Sequence, residues 1–430
     1  MQTSLDEGLA RTILDGGLRV VVEPMAEVRS VSLGVWVGVG ARDEPGELAG
    51  ASHFCEHLLF KGTETRSARE IAEAVDAVGG EMNAFTGREH TAYYLRVPAR
   101  ELDLALDVLG DILSRPAFRP DDVEAERHVI LEELALNEDS PEDRVQSLLF
   151  EALFPDHPLG REVAGDRQTV SSAAAEELAG FHGERYRAPA TAVAVAGAVD
   201  PDHVVARAGS VFTLPDGGAA NGRTPPHAEP RSVAVLDRGT EQVHLALGWR
   251  AFGHHDDDRY PLAVLNQVLG GGTASRLFQE VREARGLVYS IYSAPSLFSD
   301  AGVLGVNAGT GPEQVDEVVD IVGTTVAGLL DEGPTGEELR VAKGCLEGSL
   351  VLGLEDSASR MARLGSEEIT RGSVTPLDEH VARIRAVSHE DVARVTNRIL
   401  GAAPTIAAVG PVEADALAAA IARGTFPVGH

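Results

Sequence analysis

Within the pentapeptide His53-Phe54-Cys55-Glu56-His57, two imidazoles are separated by one helical turn and a carboxylate precedes the second. On a helix, positions i and i+4 lie one above the other on the same face. Both rings can therefore reach one metal ion at about 2.0–2.1 Å, the distance typical of zinc–imidazole bonds. Glu56 lies on the neighbouring edge of that face, where it can meet an activated water without competing for coordination. Such a carboxylate can take a proton from the water and later pass it to a leaving amine. The motif alone also admits two histidines capping a core helix. Cys55, nearly opposite His53 around the helix, reads as a small buried residue and not as a ligand.

A catalytic zinc needs a third protein ligand and one open position. The acidic segment Asp121–Asn137 offers candidates, and Pro120-Asp121-Asp122 with Glu124 resembles a helix start. With Val123 as origin and about 100° per residue, Ile130 and Leu134 fall within about 20° of it and define a buried stripe. Glu133 at about 280° and Glu126 at about 300° follow its edge, whereas Glu132 at about 180° points to solvent. Helix geometry thus selects Glu133 over its neighbour Glu132 and pairs it with Glu126; one of the two can bind zinc and the other can orient a ligand histidine through its free ring nitrogen. Taken by itself, the same run also reads as a solvated acidic helix.

These residues need a scaffold, and 430 residues exceed what one hydrophobic core usually organises. Two domains are expected: 1–213 with the metal site, a Gly/Pro-rich linker over 214–231 (LPDGGAANGRTPPHAEPR), and 232–430. In the first half, alternation and helical periodicity predict strands at Arg19–Glu23, Val31–Val39, Met82–Phe85 and Ala92–Val97. Helices are predicted around His53–Leu59, Ala68–Val78 and Arg100–Leu113. The second half repeats the order, with strands at Ser232–Leu236, Val243–Trp249, Val288–Ser293 and Gly302–Asn307. Its helices are predicted at Tyr260–Leu269, Ser275–Arg282 and Pro312–Leu330. The stretches Tyr93–Leu109 and Leu304–Val322 both run from a strand through a short turn into an amphipathic helix. The fold class expected is α+β: two similar α/β-sandwich domains, each a sheet with helices laid on one face.

The 67 acidic against 37 basic residues, a net charge of −30, oppose nucleic-acid binding and docking on anionic membranes. The balance suits basic or unfolded polypeptides. Two cysteines make no disulfide framework, and no secretory signal or span of about 20 apolar residues is visible, so a cytoplasmic location is expected. Gly270-Gly271-Gly272-Thr273 lacks the Lys-Ser/Thr of a phosphate loop.

The chain resembles the pitrilysin/insulinase family of zinc peptidases, in its short mitochondrial processing peptidase-like branch. The resemblance runs through Thr12–Pro24, Val35–Thr63 with the inverzincin order H-x-x-E-H, Gly79–Leu95, Ala125–Leu134 and Gly270–Ser293. Glu133 lies 76 positions after His57, the spacing of that family's third ligand, and Glu126 stands at its supporting carboxylate. The resemblance implies Zn2+ as cofactor and a metalloendopeptidase that hydrolyses peptides or unfolded segments within a chamber. It implies that Arg282 and Tyr289 grip substrate and stabilise the oxyanion. From sequence alone, these two equally suit a helix surface and a strand. It also implies that Asn83, Ala84 and Phe85 lie on an edge strand that receives extended substrate, although an interior strand fits the same residues. A chain with two such domains would dimerise to complete the chamber, as a homodimer or with a related subunit. The alternative is a non-catalytic peptide-binding or assembly subunit of the same fold.

Overall fold

The computed structural model describes residues 3–6, 8–218, 222–423 and 426. It contains two compact units, residues 1–134, 162–223 and 351–376 in the first and 135–161, 224–350 and 377–430 in the second. The division into contiguous halves expected from sequence is therefore modified. The expected linker does contain a boundary, between Arg223 and Thr224, but one segment from each half belongs to the other unit. Residues 219–221 of that linker lie outside the described residues.

The first unit is built on a sheet of seven strands: β1 (Thr3–Asp6), β2 (Leu9–Ile13), β3 (Arg19–Pro24), β4 (Ser30–Val37), β5 (Glu81–Thr86), β6 (Thr91–Pro98) and β7 (Thr191–Gly197). Their spatial order is β1-β2-β3-β7-β4-β6-β5, with β3 and β7 parallel and the other pairs antiparallel. The second unit holds β8 (Val233–Leu236), β9 (Val243–Ala251), β10 (Val288–Leu297), β11 (Gly302–Thr310) and β12 (Thr405–Val409). The order here is β10-β11-β9-β12-β8, with only β8 and β12 parallel. Read from the other end, β8-β12-β9-β11-β10 matches β3-β7-β4-β6-β5 strand for strand and sense for sense. The duplication suggested by sequence is thus present in topology. The echo is structural as well: β6 leads through a short 3-10 turn into helix Leu102–Ser114, and β11 likewise into helix Val315–Asp331.

Central strands such as β4 and β7 are buried along nearly their whole length, which explains their unbroken apolar runs. One face of the first sheet carries Val20, Val22, Leu33, Val35 and Val193 against helices that include Leu102–Ser114. The expectation of helices on one face only is corrected by the opposite face. There Val21, Trp36, Ala92 and Ala194 pack against Met361 and Leu364 of helix Ser357–Arg371, supplied by a segment far along the chain. A side-chain carbon at Gly34 or Gly365 would come within 2.2 Å or 2.1 Å of the Trp36 ring, so both must be glycine for the indole to fit. In the second unit, helix Pro141–Leu153 does the equivalent, placing Leu149 and Leu153 against Ala246, Ala407 and Val409. The expected helix Ser275–Arg282 contains a π-helical stretch at Phe278–Glu283.

The returning helix of the first unit is fastened electrostatically. The Glu368 carboxylate, fully buried, accepts two bonds of 2.9 Å from Arg11, and Arg19 donates to the Glu368 carbonyl at 2.8 Å. Elsewhere in this unit His182 is buried between Tyr186 and Phe118, with ring centroids at 4.3 and 5.4 Å. Burial lowers its pKa to about 4, so the folded state holds it neutral.

Two outcomes are expected. Glu368→Ala strands two partly buried guanidinium groups and should lower stability by about 3 kcal/mol, read as a lower urea midpoint. Between pH 7 and 5 the unfolded chain takes up a proton at His182 that the folded chain refuses. Stability is therefore full above about pH 6.5 and falls with acidification, by about 1–2 kcal/mol for this residue. A His182→Phe variant should show a correspondingly shallower loss in the same pH series.

Candidate metal centre

The motif helix runs Ala51–Leu59 and starts at Gly50, whose φ of 92° is left-handed. A side chain at Gly50 would also strike the Ala164 carbonyl at 2.5 Å, so this turn requires glycine. Buried Glu44 closes the helix start by accepting from the backbone N–H of Gly50 (2.7 Å) and Ser52 (2.6 Å). A carboxylate there also favours the positive end of the helix dipole. Phe54, Cys55, Leu58 and Leu59 face the core, which turns His53, Glu56 and His57 to a half-buried surface. Cys55 donates to the Leu178 carbonyl at 3.7 Å and its burial pushes the thiol pKa up, as suits an inert core residue.

The acidic helix spans Pro120–Asp139, and Val123, Ile130 and Leu134 form its buried stripe. Glu126 is buried with them, Glu133 is half-buried and Glu132 is exposed. Arg127 fixes this helix: it donates to the carbonyls of Val170 and Ala173 and sits 5.7 Å from the Phe54 ring of the motif helix.

The two helices bring His53, His57 and Glu133 together, with one ligand atom from each inside 4.8 Å of the others. A Glu133 oxygen stands 3.7 Å from Nε2 of His53 and 3.6 Å from Nε2 of His57. The rings are 4.7 Å apart, edge to face. These separations exceed a hydrogen bond. They approach the roughly 3.4 Å between two donors bound at about 2.1 Å to one tetrahedral ion. Burial, reinforced by His57, lowers the His53 pKa to about 4, so its ring is neutral at pH 7 and has one nitrogen lone pair to offer. Two imidazole nitrogens and a carboxylate oxygen fit a catalytic zinc, and three protein ligands would leave a position open.

Around the triad, Glu126 contacts Nδ1 of His57 at 3.0 Å, and Lys61 meets its other oxygen at 2.6 Å. This holds the His57 ring with Nε2 turned towards Glu133. The Glu56 pKa is raised, mainly by burial and further by Glu133, against the opposing effects of Thr86 and His57. The Thr86 hydroxyl donates to Oε2 of Glu56 at 2.5 Å.

Strand β5 is the edge of the first sheet, not an interior strand. Asn83 and Phe85 point outward, whereas Ala84 packs towards the core. In the second unit, the Arg282 guanidinium lies 4.7 Å from the Phe278 ring and 5.8 Å from that of Tyr289, whose side chain is 84% exposed. Sequence reasoning passed over Glu44, Lys61, Thr86 and Arg127. Thr86 was detectable from the alternation Met82, Ala84, Thr86, which places it on the inner face of its strand. Lys61 follows His57 by one helical turn.

The solved structures with this architecture include a "peptidase M16 inactive domain" from Pseudomonas fluorescens. It matches with a TM-score of 0.88 and 23% identity, covering 98% of this chain and 100% of the other. A protease from Helicobacter pylori matches at 0.87 and 22%, covering 94% and 99%. The family model "Insulinase (Peptidase family M16)" matches residues 19–167, and "Peptidase M16 inactive domain" matches 172–344. A Mycobacterium leprae protein named "uncharacterized zinc protease" is 44% identical, with 94% of this chain and 92% of that one aligned. A likewise named Bacillus subtilis protein is 37% identical over 94% and 98%. The chain belongs to peptidase family M16, the insulinase family of metallopeptidases.

Glu126→Ala should free the His57 ring and weaken binding of a divalent ion by about 10- to 100-fold, measured by competition with a chromophoric chelator. Unchanged affinity would show that Glu126 does not hold the ring.

Proposed function

We propose that this chain is a zinc metalloendopeptidase that hydrolyses peptides or unfolded polypeptide segments. The observation that carries this reading is the approach of Glu133 to the free nitrogens of His53 and His57, with Glu56 on the adjoining edge of the same helix. His53, His57 and Glu133 would hold zinc. When bound, the ion supplies Lewis acidity, polarising the scissile carbonyl and lowering the pKa of a water nucleophile. Glu56 accepts the proton from the attacking water and delivers it to the departing amine, and a carboxyl with a raised pKa is suited to both transfers. Glu126 and Lys61 hold His57 in the tautomer whose Nε2 bears the lone pair.

Extended substrate adds to the open edge of β5, where main-chain hydrogen bonds tolerate varied side chains and Asn83 and Phe85 flank the docking line. In the second domain, the exposed Tyr289 hydroxyl and the Arg282 guanidinium are suited to donate to a substrate carbonyl or oxyanion. A second copy, or a related subunit, would complete a substrate chamber. Both cysteines are free, and no helix among the described residues is long and apolar enough to cross a membrane. A reducing, cytoplasmic compartment agrees with the free thiols.

The test is a digest of a peptide library by purified protein with and without chelator, beside metal analysis. One zinc per chain and chelator-sensitive cleavage are expected. Glu56→Gln should keep the zinc and lose at least about 100-fold in kcat, while His53→Ala and Glu133→Ala lose both metal and cleavage. Cleavage by zinc-loaded Glu56→Gln at the wild-type rate would remove the mechanism. A protein that takes up no zinc would favour the non-catalytic subunit.

A further inference from the structure

We propose that Thr86 is a positioning residue for Glu56, fixing the orientation of its carboxylate from the hairpin of β5 and β6. The inference rests on the peptidase reading above for its catalytic consequence, and on geometry alone for the positioning.

Thr86 is the last residue of β5 and pairs in register with Thr91 of β6. Strand alternation sends Met82 and Ala84 into the core beneath the sheet, and Thr86 is the third residue of that inner row. Its hydroxyl donates to Oε2 of Glu56 at 2.5 Å, the only hydrogen bond of the Glu56 carboxylate among the described residues. This bond restrains the carboxylate plane about its terminal torsion, which otherwise has a broad distribution.

Thr86 can serve as a fixed reference because its hairpin is anchored at the turn. Backbone N–H groups of Ala41 and Arg42 donate to the carbonyls of Gly87 and Arg88 at 3.2 and 2.8 Å. The buried Glu89 carboxylate accepts from Arg42 at 2.6 Å. Arg223 donates to both Asp43 oxygens at 2.8 Å and to the Glu89 carbonyl at 2.7 Å. The turn following Thr86 is thereby tied to the segment that leads into the motif helix. The strand that would bind substrate and the carboxylate that would act on it share one rigid support.

The experiment compares Thr86→Val, which keeps the shape and removes the hydroxyl, with Thr86→Ser, which keeps the hydroxyl. In crystal structures, Glu56 should leave its orientation in Thr86→Val and retain it in Thr86→Ser; an unchanged Glu56 in Thr86→Val overturns the proposal. In zinc-loaded enzyme of wild-type metal content, Thr86→Val should lower kcat about 10- to 100-fold with KM within about twofold, and Thr86→Ser should restore most of the loss. In the Glu56→Gln background, Thr86→Val should cost nothing further. An equal loss in that background, or a rise in KM alone, also overturns it. If the wild-type protein cleaves no peptide, the peptidase reading fails and the crystallographic comparison still decides the positioning.

Discussion

Glu133 faces two imidazole nitrogens at 3.6 and 3.7 Å, one of them on a histidine held neutral by burial. Glu133 stands beyond hydrogen-bonding distance of both rings. Such an arrangement leaves negative charge and lone pairs converging on a common point, an electrostatic debt that a divalent cation removes. The surrounding structure maintains that convergence. Glu44 closes the start of the motif helix, Arg127 binds the acidic helix across Phe54, and the Lys61–Glu126–His57 chain orients one ring. Each fixes a helix or a ring that a single ligand could not fix alone.

The two sheets show how one topology accommodates different duties. They share the order and sense of five strands, yet only the first gathers a His-His-Glu triad that could hold a metal among the described residues. In the place along the chain that corresponds to the motif helix, the second unit has Arg259–Leu269, whose Leu262, Val264 and Leu265 are committed to the core. The corresponding edge strands also differ: β5 presents Asn83 and Phe85, while β10 presents Tyr289 and Tyr292. Conservation of the frame with divergence at the edges is what repeated domains permit, since the core depends on pattern and the site on particular side chains.

Most of the site was legible because helical periodicity is local. The spacing of His53 and His57, the choice of Glu133 over Glu132 and the pairing with Glu126 each follow from residues within a single helix; in the structure Glu133 lies near both histidines and Glu126 beside His57. Strands β3 to β6 and the helices between them were legible for the same reason. What escaped was non-local. Glu44 caps a helix through backbone atoms that no periodicity marks, and Thr86 meets Glu56 only after the sheet has formed. The returning helices were also missed. An amphipathic pattern shows that Ser357–Arg371 has a face to bury, but it cannot show that Trp36, more than 300 residues earlier, is what the face covers.

That returning helix sets the order in which the protein can be made. The last long piece of the first unit before it ends at Arg223, and its closing segment ends at Pro376. At about 5–20 residues per second, a ribosome needs roughly 8–31 s to supply the intervening chain. Throughout that interval Val21, Trp36 and Ala194 form an apolar sheet face without its cover. Nascent chains of this protein therefore pass through a stage that invites chaperone capture, and a gene cut at the midpoint would encode two fragments, each missing the helix that seals it.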